Sequence, residues 1–311
     1  MDFDLNASDQ LGSDGCLDFS NKSNRGLADL WCDDPSACPF KALYDDVYSA
    51  TMSRADFWVA AANAVTKNAS PNQSLDLPFR WGRIDSNNCP NSSGRLPKPG
   101  GCSEVEGVFI NRMGLTWTDA VALMGAHTLG RGGDNHPGTF VQNDEESTFF
   151  DKQYYQEVLN RGWRRANHWT WGGINRRTMM LNSDVCLRFD IDNGSPCCTN
   201  TNKNCRDASV QNIQCEDSNL VRPEAFAAFN EFAAGEGGDN DAFFAAYSSA
   251  WGKATENGGY DTLNDLVSAC DEEESEEGEE PSPVESSSGF LVQNPTGIQM
   301  IIFWVFLYFV V

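Results

Sequence analysis

Histidine is nearly missing from this sequence, and basic residues are scarce. Three histidines stand among 311 residues, and 22 lysines and arginines face 45 aspartates and glutamates, for a formal net charge of −23. Phosphate binding needs clustered Lys and Arg, so nucleic acid is excluded as a partner. No uncharged apolar run approaches the roughly 20 residues that cross a bilayer. No two cysteines have the C-x2-C spacing of a zinc site, and no histidine lies near Cys197, Cys198, Cys205 and Cys215; disulfides are the better reading of that cluster. Nothing repeats with a period of 20–50 residues, which excludes a solenoid. Met1 to Asn6 offers neither a basic segment nor an apolar one, so no signal peptide is present.

What the chain does have is cysteine and sequons. Eleven cysteines, with Asn-x-Ser/Thr beginning at Asn6, Asn21, Asn68, Asn72, Asn91 and Asn193, indicate the secretory pathway and an extracellular setting. Asp271 to Glu280 holds eight acidic residues and no basic one. With the Ser- and Pro-rich stretch after it, it reads as a disordered stalk over residues 271–299. Without those eight charges the rest stands at −15, an acidic fold that favours neutral or cationic small molecules over anions. Residues 300–311 are apolar and uncharged. Preceded by small residues and a polar spacer, they are expected to be a GPI-attachment signal at the cell surface, with a tail-anchor or a packed tail as the other readings.

Residues 1–270 form the folded part, and its pattern is mainly helical. Ser53 caps a helix in which Phe57, Ala61 and Val65 recur every four residues. Phe149 to Leu159 reads as an aromatic-rich helix. Phe226, Phe229 and Ala233 share a helical face, as do Phe243, Tyr247 and Trp251, and Asn257-Gly258-Gly259 ends the last helix. Segments 86–106 and 192–219 read as long loops tied by disulfides. Thr116 and Asp119 give the start signal of another helix, on which Ala120, Leu123 and Met124 share the face of His127.

The string Met124-Gly-Ala-His-Thr-Leu-Gly-Arg131 resembles the proximal-haem segment of the plant, fungal and bacterial haem peroxidase superfamily. Four further stretches resemble the family in its own order: Ser53 to Val59, Pro78 to Asp85, Gly94 to Pro97 and Met180 to Asp184. The wording is nearest to the cytochrome c peroxidase and ascorbate peroxidase class, with features of the secreted fungal type. The resemblance covers roughly residues 12–256. It implies a mainly α, two-lobed fold with haem between the lobes, a monomer, and haem b as cofactor. His127 becomes the axial iron ligand, Asp184 the carboxylate behind it, and Arg131 a cation against a haem propionate. Asp56 and Arg83 become a buried ion pair, although Asp56 could instead serve only the cap with Ser53.

The resemblance also implies calcium, through Thr128, Asp144 and Asp151 on the proximal side and Gly12 and Asp14 in a distal loop. Glu146 stands where a threonine is usual, and Cys16 replaces a serine. Asn24 matches the position that supports the family's distal histidine, yet no histidine precedes His127. The expectation is a first exon missing from this sequence, carrying a signal peptide and the distal Arg and His; the odd cysteine count agrees. Thr139 to Asn143 contains no tryptophan where cytochrome c-oxidising members have one, and His136 stands where an arginine positions ascorbate. The function implied is reduction of hydrogen peroxide with one-electron oxidation of a small donor. The competing reading is a non-catalytic haem-binding surface protein that lacks the distal His and Arg.

Overall fold

The computed structural model describes residues 3–7, 12–19, 27–87, 95, 98–132, 138–142, 145–173, 178–192, 194, 197–198, 215–235, 239–257 and 263–266. The stalk and the apolar tail lie outside these residues. Helices dominate: α1 (Pro39–Leu43, continued by a wide turn over Tyr44–Tyr48), α2 (Arg54–Ala69), α3 (Cys102–Val105), α4 (Trp117–Met124), α5 (Gln153–Asn160), α6 (Asn182–Arg188), α7 (Pro223–Ala233) and α8 (Asp241–Glu256). The strands are two to four residues long: β1 (Arg80–Trp81), β2 (Arg131–Gly132), β3 (Gly138–Thr139), β4 (Trp163–Arg165), β5 (Thr170–Gly173), β6 (Met179–Leu181), β7 (Phe189–Asp190), β8 (Cys197–Cys198), β9 (Glu216–Asp217) and β10 (Asn264–Asp265). The fold is mainly α, as the helical spacing implied. Among the described residues no helix is long and apolar enough to cross a membrane.

Local chemistry explains the helix ends. The Ser53 hydroxyl accepts from the Asp56 N–H at 3.0 Å and starts α2. Thr116 and Asp119 exchange side-chain and backbone hydrogen bonds in a full capping box at the start of α4. Pro223 opens α7, where its missing N–H costs nothing. The fully buried stripe of α2 includes Phe57 and Trp58, Ala62, Thr66 and Ala69, and Ala61 and Val65, which share the four-residue spacing of Phe57, are partly covered against the same core. The pair Phe57 and Trp58 sets the phase, because both rings pack into Trp31 and Phe40.

Helix α4 packs between α7 and α8, so its apolar residues from Ala120 to Met124 are all buried. Strands β4, β5 and β6 with β8 form one antiparallel sheet in the order β6-β5-β4-β8, and β6 runs directly into α6. None of these strands is legible as a period-2 pattern. Segment 86–106 is not all loop, since α3 begins at Cys102 and is bonded to α6 by the Cys102–Cys186 disulfide. Cys32–Cys38 and Cys198–Cys215 are also disulfides, which fulfils the reading of these cysteines over zinc.

Asp56 and Arg83 form the ion pair, at 2.8 Å and almost fully buried. Asp56 also accepts from the Gly82 N–H at 2.7 Å, and Arg83 Nε donates to the Thr255 carbonyl at 3.1 Å. The pair therefore ties α2, β1 and the end of α8 together, and Asp56 is not merely part of a helix cap.

Candidate active site

His127 lies at the end of α4, where the helix tightens into a 3-10 turn over Gly125–Thr128. Two glycines shape this turn. A Cβ on Gly125 would come within 2.2 Å of the Tyr155 hydroxyl and 2.6 Å of the Phe243 ring. The helical path ends at Leu129, whose backbone is extended, and Gly130 follows with φ +79°, which a side chain resists. Arg131 is therefore not one helical turn beyond His127, as its spacing suggested. It sits exposed on β2, paired with Thr139 of β3.

The imidazole is held from three sides. Its Nδ1 lies 2.7 Å from Asp184 Oδ1, across 57 residues of sequence. Phe140, just after β3, stacks on the ring with centroids 4.3 Å apart and planes 13° from parallel. Tyr154 of α5 meets it edge-on at 6.0 Å. Nε2 is buried and has no hydrogen-bond partner among the described residues. A buried polar atom without a partner is costly and calls for an explanation.

Asp184 is fully buried at the first turn of α6. Its Oδ2 accepts from the Leu181 N–H at 2.7 Å, so the backbone at the β6–α6 junction holds the carboxylate. Its Oδ1 accepts from the Tyr154 hydroxyl at 2.9 Å as well as facing His127. Burial, and then the charge of Asp184, hold the Tyr154 phenol well above the ordinary tyrosine range, so it remains a donor. Tyr154 carries a contact that sequence reasoning did not assign, and Phe140 was noticed there only as the place where a tryptophan is absent. A buried tyrosine usually finds a hydrogen-bond acceptor, but nothing in the spacing says which one.

The proposed calcium residues are partly assembled. Thr128 Oγ1 lies 3.1 Å from Asp151 Oδ1 and 3.4 Å from the Phe149 carbonyl. Burial raises the Asp151 carboxyl above its usual range, against hydrogen bonds from the Gln153 N–H and Thr128. Glu146 is engaged by Gln153 at 2.9 Å. Asp144 lies outside the described residues, as do Asn24 and His136. Gly12 and Asp14 belong to a different region. Asp14 accepts from the Cys16 N–H at 2.9 Å and its carbonyl from the Ser86 N–H at 2.9 Å, beside the start of α2. Among the described residues no group of three or more His, Cys, Asp or Glu is placed to hold a metal ion.

Comparison with known proteins identifies a family. Residues 36–194 match the Peroxidase family, and that span contains His127, Phe140, Tyr154 and Asp184. L-ascorbate peroxidase 3 of Arabidopsis thaliana is 36% identical over 146 residues, covering 46% of this chain and 45% of the relative. Cytosolic L-ascorbate peroxidase 2 of the same plant is 37% identical over 124 residues, covering 39% and 45%. Its peroxisomal L-ascorbate peroxidase 5 is 31% identical over 155 residues, covering 48% and 50%. The chain spans about half the length of these curated relatives. With half of its own residues inside the family match, and the histidine–aspartate pair among them, the chain belongs to the peroxidase family.

Proposed function

We propose that this chain binds haem b through Nε2 of His127 and reduces hydrogen peroxide with electrons taken singly from a small donor. One observation carries the reading: His127 has Nδ1 committed to Asp184 while its other nitrogen is buried without a partner. An iron-bound imidazole needs that arrangement, and the residues present fit the group. Haem bound there supplies the redox chemistry that splits the O–O bond. Asp184 accepts the Nδ1 proton, which leaves the lone pair on Nε2 and makes the ring a stronger electron donor. Phe140 fixes the plane of the ring. Arg131, exposed on β2, would meet a propionate, and Thr128 with Asp151 would offer oxygen ligands to Ca²⁺.

The relatives' names make ascorbate the first donor to try. The net charge of −15 outside the acidic run argues that a neutral phenol or a cationic amine should do better. The disulfides and six sequons support an extracellular site. Anchoring through residues 300–311 would be tested by release of a tagged chain from cells with phosphatidylinositol-specific phospholipase C.

The test of function is peroxide consumption by the full chain reconstituted with hemin, with ascorbate and with a neutral phenol as donors. Donor-dependent turnover that is lost in His127→Ala supports the reading. Stable haem binding without turnover would make the chain a haem-binding protein instead.

A further inference from the structure

Asp184 Oδ1 serves two donors at once. The imidazole Nδ1 approaches it at 2.7 Å and the Tyr154 hydroxyl at 2.9 Å. The other oxygen, Oδ2, is held by the Leu181 N–H at 2.7 Å. Phe140, stacked on the imidazole, has no N–H or O–H to offer. Among the described residues, the second side-chain bond to this carboxylate therefore comes from α5, not from the residue under the ring. We propose that Tyr154 is a positioning residue that tunes His127 through Asp184, and this rests on the reading of His127 as the iron ligand.

Physical reasoning gives the effect a sign. A hydrogen bond to Oδ1 draws electron density away from the oxygen that the imidazole N–H also uses. With the phenol in place, the His127–Asp184 bond is weaker and the imidazole less electron-rich. Without the phenol, the backbone bond to Oδ2 still holds Asp184, so His127 remains oriented and gains the whole of Oδ1. Loss of the hydroxyl and loss of the carboxylate should then act in opposite directions. A tyrosine that merely filled space would not produce that reversal.

The neighbouring Tyr155 provides the control. It is equally buried and packs edge-on against Tyr154 at 5.0 Å, but its hydroxyl donates to the Val121 carbonyl at 3.0 Å rather than to Asp184. The experiment measures the Fe(III)/Fe(II) equilibrium of the hemin-reconstituted full chain and the Nδ1 proton resonance of His127 in the haem-free chain. Tyr154→Phe should move the equilibrium toward Fe(III) by about three- to tenfold, tenfold being about 59 mV, and shift the Nδ1 proton downfield. Asp184→Asn should move the equilibrium toward Fe(II), and Tyr155→Phe should leave it in place.

Fluorotyrosine at position 154 keeps the fold and strengthens the donor, so it should shift the equilibrium toward Fe(II). It stands in if Tyr154→Phe is unstable. No change, or a shift toward Fe(II), in Tyr154→Phe would overturn the proposal. A haem spectrum indifferent to His127→Ala would refute the ligand assignment instead. In that case the proton resonance of the haem-free chain still decides whether Tyr154 weakens the His127–Asp184 bond.

Discussion

Asp56→Ala is the sharpest test of what holds the fold around the site. Asp56 and Arg83 are 3% and 2% exposed, and their side chains meet at 2.8 Å. Removing the carboxylate takes from the buried guanidinium its 2.8 Å ion pair and strips the Gly82 N–H of its 2.7 Å acceptor. Breaking one side of a buried pair costs about 3–5 kcal/mol, a large fraction of the 5–15 kcal/mol that stabilises a typical domain. For a chain of this size the melting midpoint should fall by about 5–10 °C. Replacing both partners with apolar residues, as in Asp56→Leu with Arg83→Met, should recover at least half of the loss, because the buried guanidinium is removed together with its carboxylate. Urea titration followed by tryptophan fluorescence and far-UV circular dichroism measures both variants. A cost below about 1 kcal/mol for Asp56→Ala, or a double variant worse than the single, would refute the reasoning.

Other parts of the structure give further expectations. Removing the Cys102–Cys186 disulfide, which closes a loop of 84 residues, should destabilise the chain by about 2–5 kcal/mol, read by denaturant titration of the Cys102→Ser/Cys186→Ser variant. Gly125→Ala should cost about 1–3 kcal/mol, because its methyl group collides with the Tyr155 hydroxyl and Phe243 ring; an unchanged melting point would mean that the turn shifts freely. Burial works to raise the Asp119 carboxyl, but the Lys253 ammonium and Thr116 outweigh it and hold it below 3.8. A carboxyl depressed in the folded state contributes stability above its unfolded pKa and loses it as pH falls through the folded value. Lys253→Met should therefore lower the melting point at pH 7, and the difference from the native chain should shrink as pH falls through the depressed Asp119 value and vanish once the carboxyl is protonated in both states. A difference that persists there would assign Lys253's role to packing.

Local signals were legible in the sequence, and long-range ones were not. The Ser53 and Thr116 caps, the helices α7 and α8, and the disulfide rather than zinc character of Cys198 and Cys215 could each be read from a window of a few residues. The pairing of His127 with Asp184 crosses 57 residues and was accessible only through family resemblance. The four-residue spacing in α2 gave the helix but not the width of its buried face, because two adjacent aromatics, Phe57 and Trp58, both have a place in the cluster around Trp31. The four-residue spacing of Arg131 from His127 suggests one helical turn, but the path ends at the extended Leu129 before the left-handed Gly130, and spacing alone does not show that. Strands β4 to β6 are too short to show alternation, and their residues are held by neighbours in the sheet. Tyr154 looked like one more aromatic of a core helix. Its acceptor lies on α6, and only the packing of α5 on that helix brings the two together.

The central claim is that Nε2 of His127 ligates haem iron. Resonance Raman spectroscopy of the hemin-reconstituted, chemically reduced full chain tests it directly through the iron–imidazole stretch. The account predicts a band that shifts when histidine is labelled with ¹⁵N, disappears in His127→Ala, and moves to lower frequency in Asp184→Asn as the ring donates less strongly. A band that survives unchanged in His127→Ala would place the ligand elsewhere and contradict the account.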